Sequence, residues 1–164
     1  MVRGRAILTG SGRTRFRVRL FHLYFLLRRA ATLGVRVIVH ERSTGSVFLI
    51  RHTYVPGWHL PGGGVETGEA AGMALARELE EEGNIRLEDE PRLVSFHYNR
   101  TASRRDHVAL YLVEAFRQTA PKQPDREIAE AGFFLLDALP EGTTRATRER
   151  LAEVFGGRPP SPEW

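Results

Sequence analysis

The stretch from Gly63 to Ile85 constrains this chain more than any other, because it joins a glycine-rich turn to an acidic helix. Three glutamates, Glu78, Glu81 and Glu82, are spaced three and four residues apart, which places them within an arc of about 100° on an α-helix. Like charges this close destabilise a helix by roughly 0.2–0.5 kcal/mol per pair unless a cation compensates them. Oxygen ligands favour a hard ion, so the pattern predicts a Mg²⁺ or Mn²⁺ site.

The same stretch resembles the Nudix box, a motif that fixes seven residue identities at set offsets. The matching residues are Gly63, Glu69, Arg77, Glu78, Leu79, Glu81 and Glu82. The chain is similar to the Nudix hydrolases over residues 33–155, which implies an α/β fold, specifically an α/β/α sandwich with a mixed β-sheet. Asn84 stands where the family usually has Gly. Asn tolerates the left-handed conformation that ends a helix, so we expect the helix to end there.

The resemblance implies a metal site. The family's metal-binding carboxylates match Glu78, Glu81 and Glu82, and the carbonyl of Gly63 is implied as a further ligand. Arg77 matches an arginine that orients a neighbouring carboxylate, and with Glu81 and Glu82 it is implied in catalysis. Glu69 is interpreted as structural support, placed in the first turn of the helix where a carboxylate interacts favourably with the helix N-terminus.

The resemblance also implies a reaction, which the residue types favour independently. Nudix enzymes hydrolyse a nucleoside diphosphate linked to another group, giving a nucleoside monophosphate and a phosphorylated remainder. A pyrophosphate link is highly anionic, and a divalent ion both neutralises its oxygens and activates the attacking water. We therefore expect a Mg²⁺-dependent pyrophosphohydrolase, with ADP-ribose, sugar nucleotides, oxidised nucleoside triphosphates and dinucleoside polyphosphates all open as substrates.

The general base is expected either in the box or in a later loop. Glu127 follows the polar stretch 118–126 and precedes a predicted strand. Family members often carry an extra acidic residue at such a place, so Glu127 is the candidate base outside the box. An ordinary surface glutamate is the alternative interpretation.

Three residues outside the box are candidates for substrate binding. Arg51 can make a bidentate contact to phosphate, and Trp58 can stack on a base. Arg105, in the loop before a predicted strand, is a comparable candidate. Trp58 can instead be a core anchor, and Arg105 can be part of a solvated loop. Arg51 has a neighbour, His52, that could also hold substrate. Strand alternation puts these two on opposite faces, so only one of them can easily face the cleft.

Composition limits the class of protein. The chain has 164 residues with 41% hydrophobic content, enough for one well-buried core, and it has no cysteine. Disulfides, thiolate zinc sites and cysteine nucleophiles are therefore excluded, and we expect a cytoplasmic protein without a membrane span. The net charge is +4, and almost all of the positive charge comes from arginines. The excess of basic residues is concentrated before residue 30, and we interpret this segment as a solvated basic face.

Three segments are predicted along the chain. Residues 1–31 form a basic segment, mainly a helix packed on the domain, residues 32–157 form the hydrolase domain, and residues 158–164 form a Pro-rich tail that is on the surface or disordered. Strands are predicted at 33–40 and 46–54, paired antiparallel, and at 92–98, 107–116 and 132–136. A closing helix is predicted at 144–155.

Two other functions compete with hydrolysis of a small nucleotide. The basic N-terminal segment is compatible with removal of pyrophosphate from RNA 5′ ends, although a nucleic-acid partner is not the favoured interpretation. A third hypothesis is a non-catalytic Nudix-fold sensor that binds a nucleotide, and the intact set of three glutamates argues against it. A homodimer is an open expectation, because many Nudix proteins are dimers.

Overall fold

The computed structural model describes Val18, Phe21, Tyr24 and residues 30–164. The chain divides into two compact units, Met1–Ala31 and Thr32–Trp164. In the first unit, Val18, Phe21 and Tyr24 are helical and exposed. The remainder of the predicted N-terminal helix lies outside the described residues. Within the described ranges, no helix is both long enough and apolar enough to cross a membrane.

Seven strands are found in the described part of the chain, and five of them form one sheet in the order β4-β5-β1-β2-β7. β1 runs parallel to β5, whereas the β1–β2, β2–β7 and β4–β5 pairs are antiparallel. The sheet is therefore mixed, as predicted. The bounds of the strands are β1 Thr32–Glu41, β2 Ser46–His52, β3 Ile85–Leu87, β4 Arg92–Tyr98, β5 Asp106–Val113, β6 Phe116–Gln118 and β7 Ile128–Leu135.

The two helices of unit 2 pack on opposite faces of this sheet. Helix α1 (Ala71–Gly83) buries Leu75 and Leu79 completely against Val35 and its neighbours on β1. Full burial of such side chains contributes roughly 1.5–3 kcal/mol each. Helix α2 (Arg145–Phe155) packs on the other face through a second apolar cluster that includes Leu151. The α/β/α sandwich expected from the resemblance is therefore confirmed.

The ends of α1 differ from the prediction at one point. The helix begins at Ala71, so Glu69 precedes it and is not in its first turn. At the other end, Asn84 is left-handed with φ 51° and ψ 36°, and its N–H donates to the carbonyl of Glu80 at 3.1 Å. The predicted helix end at Asn84 is confirmed, because Asn takes this conformation at little steric cost.

Two short strands and one strand boundary were not predicted. β3 and β6 have three residues each and form a separate antiparallel pair in which Ile85 faces Gln118. Segments this short carry no detectable alternation, so sequence periodicity does not reveal them. β7 begins at Ile128, four residues before the predicted start at Gly132.

Residues 158–164 lie at the surface, which is one of the two alternatives expected for this tail, but they are bound to the domain. The carbonyl of Pro162 accepts from the N–H of Tyr98 at 2.8 Å, and the N–H of Trp164 donates to the carbonyl of Tyr98 at 3.1 Å. The Trp164 ring lies edge-on to His97, with ring centroids 5.5 Å apart, and 5.4 Å from the guanidinium of Arg150. The tail is therefore docked on β4 and packs against the α2 side of unit 2.

Candidate active site

Two glycines place the loop before α1 in close contact with β1 and with the helix. Gly62 has φ 131°, and a Cβ at this position would lie 2.2 Å from the carbonyl oxygen of Val35. A Cβ on Gly63 would lie 2.3 Å from a carboxylate oxygen of Glu78. The Gly63 carbonyl accepts from the N–H of Val35 at 2.9 Å and retains a second lone pair. Only glycine allows this approach of loop, strand and acidic helix.

Arg77 organises the start of the acidic helix. Its guanidinium binds both carboxylate oxygens of Glu69 at 3.1 Å, and it also donates to Glu78 at 2.7 Å and to the carbonyl of Gly64 at 3.1 Å. Hydrogen bonds to Glu69 and then to Glu78 raise the pKa of Arg77 further above its ordinary value. Glu69 therefore supports the site through Arg77 rather than through the helix terminus. Arg77 in turn fixes the carboxylate of Glu78, which is the role implied by the resemblance.

Glu82 is the buried carboxylate of the site. Its side chain is 11% exposed, and one of its oxygens accepts from the N–H of Gly62 at 2.7 Å. Burial raises the pKa of Glu82 to about 7, opposed by the Gly62 hydrogen bond and the charge of Arg36, and increased further by Glu78 and Glu127. Bringing a cation to this position would favour the ionised carboxylate.

The three box glutamates line one open cavity of about 510 Å³ together with the segment that precedes β7. Glu127, the candidate base predicted from sequence, also lines this cavity, from the segment before β7. Its backbone is held by the N–H of Thr53, which donates to the Glu127 carbonyl at 2.8 Å. The lining residues are Glu78, Glu81, Glu82, Asp125, Arg126, Glu127 and Ile128.

The donor set of this cavity suits a hard divalent ion, although the carboxylates are not assembled around one point. Among the residues that the structure describes, no three carboxylate or imidazole groups are close enough together to hold a metal ion. Glu78 is turned toward Arg77 and Glu82 toward Gly62, while the side chain of Glu81 is 61% exposed. Carboxylate oxygens are the ligands that Mg²⁺ and Mn²⁺ prefer, so the chemistry of the donor set fits either ion.

Two further residues lie near Glu82: Arg36, which was not among the predicted site residues, and His52, which was considered only as the alternative to Arg51. Arg36 on β1 lies beneath the glycine loop, where its guanidinium donates to the carbonyls of Leu60 and Gly62. An arginine between buried valines in an apolar strand was the available signal. His52, at the end of β2, has its Nε2 atom 3.9 Å from Glu82, and burial, followed by the charges of Arg36 and His59, lowers its pKa.

The predicted substrate-binding residues do not line this cavity in the described part of the chain. Arg51 lies opposite Glu130 in the β2–β7 pair and forms a salt bridge with it. Trp58 is 9% exposed and packs edge-on against Phe134, with ring centroids 4.7 Å apart, so its placement fits the core alternative. Arg105 is exposed in the loop before β5. The structure brings Glu127 to the box, and it leaves these three elsewhere.

Comparison with known proteins identifies the family. The NUDIX domain model matches residues 30–155, which is most of the chain. A MutT NUDIX hydrolase from Burkholderia pseudomallei is 30% identical, with a TM-score of 0.64, and the match covers 76% of this chain and 98% of that one. The chain therefore belongs to the Nudix family. It is an enzyme of that family, a hydrolase acting on phosphoric anhydride bonds.

Other solved structures share the fold at lower identity. An ADP-ribose pyrophosphatase from Streptococcus suis 89-1591 is 22% identical with a TM-score of 0.58, and the match covers 76% of this chain and 92% of that one. A UDP-X diphosphatase is 20% identical with a TM-score of 0.52, covering 88% of this chain and 82% of that one. These two likenesses concern the fold alone. No curated protein sequence matches this chain.

Proposed function

We propose that this enzyme is a Mg²⁺-dependent pyrophosphohydrolase that cleaves a nucleoside diphosphate linked to another group. The products are a nucleoside monophosphate and a phosphorylated remainder. One observation carries the proposal: Glu78, Glu81 and Glu82 line a single open cavity of about 510 Å³ together with a fourth glutamate, Glu127. A solvated acidic helix face would need neither the close glycine contacts nor a further carboxylate from another segment.

The metal is assigned to the carboxylate oxygens of Glu78, Glu81 and Glu82 and to the carbonyl of Gly63. Mn²⁺ would use the same oxygen ligands. A divalent ion bound there neutralises phosphate oxygens and lowers the pKa of a bound water. The chain prepares this position by burying Glu82, because a buried carboxylate without a cation is costly to ionise.

The protein residues supply orientation and proton transfer. We assign Glu127 as the general base that accepts the proton of the attacking water, because it lines the same cavity as the three box glutamates. Arg77 holds Glu78 through the 2.7 Å hydrogen bond, and the N–H of Gly62 orients Glu82. These two carboxylates are therefore held in place by the protein, whereas the side chain of Glu81 is 61% exposed.

The substrate is assigned to small nucleotides and nucleotide conjugates. The structural relatives include proteins described as a MutT NUDIX hydrolase, an ADP-ribose pyrophosphatase and a UDP-X diphosphatase, and the last two names refer to nucleoside diphosphate conjugates. We place the reaction in the cytoplasm, where such nucleotides and Mg²⁺ are abundant. A homodimer is compatible with this assignment, and light scattering of the purified protein tests it.

A substrate panel tests the proposal. Purified enzyme is incubated with Mg²⁺ and nucleoside triphosphates, oxidised dGTP, ADP-ribose, sugar nucleotides, dinucleoside polyphosphates and 5′-triphosphorylated RNA, and the products are separated by chromatography. Glu82→Gln serves as the inactive control, because Gln retains an oxygen that accepts from Gly62. Release of a nucleoside monophosphate that is lost in the control supports the proposal. Activity on RNA ends alone, or undiminished activity in Glu82→Gln, contradicts it.

A further inference from the structure

We propose that Lys122 is a positioning residue for catalysis, which sets the place of Glu127 relative to the acidic helix. The inference rests on the proposed function, in which Glu127 is the general base. Lys122 is not itself among the residues that line the cavity, and its hydrogen bonds, to a backbone carbonyl and to Asp125, do not involve the box carboxylates. It acts through two contacts, one to the backbone of α1 and one to Asp125.

Lys122 is the only lysine of the chain, and its side chain is 12% exposed. Its Nζ donates to the carbonyl of Glu81 at 2.7 Å and binds a carboxylate oxygen of Asp125. The Glu81 carbonyl lies in the last turn of α1, where carbonyls lack partners within the helix and favour a cation. Lysine side chains are seldom this buried without a specific partner. Lys122 therefore links the end of the acidic helix to the loop before β7.

Asp125 connects Lys122 to the backbone of Glu127. Its other carboxylate oxygen accepts from the backbone N–H of Glu127 at 2.9 Å and from that of Ile128 at 2.8 Å. The N–H of Asp125 in turn donates to the carbonyl of Ile128 at 2.9 Å, which closes a tight turn. Glu127 projects from this turn. A continuous chain of contacts therefore runs from the helix carbonyl through Lys122 and Asp125 to the backbone of the candidate base.

The rest of the loop is fastened at its two ends. At one end, the carbonyl of Asn84 accepts from the N–H of Thr119 at 2.9 Å, and the Asn84 side chain donates to the carbonyl of Ala120 at 3.3 Å. At the other end, Thr53 binds the carbonyls of Arg126 and Glu127. The Lys122 bridge lies between these attachments. Removing it leaves the loop attached but no longer fixes the turn against the helix.

The position of the ion pair favours an effect on catalysis over an effect on stability. The Asp125 side chain is 44% exposed and that of Lys122 12%, so solvent screens the ion pair on one side, and we expect its loss to cost about 1 kcal/mol of folding free energy. Catalytic rates depend more steeply on geometry, since a displacement of about 1 Å can cost 100-fold. We therefore expect Lys122→Met to lower kcat while KM and thermal stability change little.

A double-mutant cycle tests the route of action. Lys122→Met is expected to reduce kcat by about 10- to 100-fold, as is usual for residues that orient a catalytic group. Glu127→Gln removes the base and is expected to cost about 100-fold or more. If Lys122 acts through Glu127, the double variant has the same kcat as Glu127→Gln. If the two losses multiply, or if Lys122→Met has wild-type kcat, the inference is overturned.

Two further variants separate positioning from loss of charge. Lys122→Arg keeps a donor long enough to reach both partners and is expected to recover most of the lost kcat. Arg117→Met removes a cation from β6, where the side chain is 66% exposed, and is expected to leave kcat within about twofold of wild type because exposed pairs contribute little. A loss in Arg117→Met as large as that in Lys122→Met overturns the inference.

Hydrogen exchange in metal-free protein gives a readout that does not depend on activity. The amide protons of Glu127 and Ile128 are hydrogen-bonded to Asp125, so Lys122→Met is expected to speed their exchange. The exchange rates of the β1 amides are expected to stay unchanged. Unchanged exchange at both amides overturns the inference. Wild-type kcat in Glu127→Gln, with activity still lost in Glu82→Gln, overturns this inference and the assignment of Glu127 as base, but leaves the metal-dependent hydrolase in place. Inactivity of the wild-type enzyme on the whole panel instead removes the proposed function.

Discussion

The buried carboxyl of Glu82 predicts that metal-free protein loses stability as pH rises through neutrality. Burial raises its pKa to about 7 from the ordinary value of 4.5, and the N–H of Gly62 only partly offsets this. Below pH 4.5 the carboxyl is protonated in both the folded and the unfolded chain. Between pH 4.5 and 7 the unfolded chain releases the proton and the folded chain keeps it. Stability therefore falls with rising pH across this window and levels off above it.

The size of the effect follows from the pKa change. Each pH unit within the window costs about 1.4 kcal/mol, so ionising Glu82 in the folded protein costs roughly 3 kcal/mol in total. That cost is a large part of the 5–15 kcal/mol typical of a domain. Glu82→Gln keeps an acceptor for Gly62 and carries no charge at any pH. The variant should therefore gain stability relative to wild type as pH rises.

Urea denaturation in the presence of a chelator measures this difference. Wild type and Glu82→Gln are unfolded at pH 5, 6, 7 and 8, and the difference in their free energies of unfolding is plotted, which cancels the contribution of other titrating groups. We expect the variant to gain by about 2–3 kcal/mol between pH 5 and pH 8. A difference that stays constant with pH would refute the reasoning that burial controls this carboxyl. Added Mg²⁺ at pH 8 should then stabilise wild type more than the variant.

Three further predictions concern the loop, the helix start and the tail. Gly62→Ala should abolish activity and lower the melting temperature, because its Cβ would collide with the carbonyl of Val35, and a normal melting temperature in calorimetry would contradict this. Arg77→Lys should lower kcat/KM by about 10-fold or more through loss of the two-oxygen contact to Glu69, with steady-state kinetics as the assay. Deleting residues 161–164, which include Trp164, should destabilise the protein by about 1–3 kcal/mol by uncovering buried polar groups, and unchanged urea unfolding would show that the tail contributes nothing.

Much of the fold follows from local sequence signals. Helix α1, its end at Asn84 and the antiparallel pairing of β1 with β2 are all predicted correctly, because each depends on periodicity or on turn chemistry within a few residues. Helix α2 begins as predicted, with the Thr144 side chain accepting from the N–H of Thr147. These features need no information about distant parts of the chain.

The remaining features depend on contacts between distant segments. The docked tail needs the edge of β4 and the ring of His97, which lies more than sixty residues earlier, and no local pattern in a Pro-rich segment indicates such a partner. From sequence alone, Trp58 is equally compatible with stacking on a base and with a place in the core. Its contact with Phe134 in the folded protein favours the core. Lys122 belongs to a polar stretch whose composition predicts only a loop.

The residues of the candidate site also fall into two groups, those that local sequence predicts and those that depend on contacts between distant segments. The box glutamates and Arg77 are recognisable because their spacing is fixed by one helix. Glu127 is a candidate from sequence only by its place after a polar stretch, and its position beside the box glutamates depends on the β2–β7 pairing. Arg36 is not predicted from sequence, because its guanidinium donates to carbonyls of the glycine loop, and this loop lies across β1 only in the folded protein.

The rate of Mg²⁺-dependent hydrolysis in matched variants tests the central claim most directly. Wild type, Glu82→Gln and Glu88→Gln are compared on the best substrate of the panel. Glu88 is 56% exposed and lies away from the cavity lining, so its replacement controls for loss of one carboxylate. We expect Glu82→Gln to lose about 100-fold or more in kcat and Glu88→Gln to stay within about twofold of wild type. Equal rates in the two variants would contradict the assignment of this cavity as the active site.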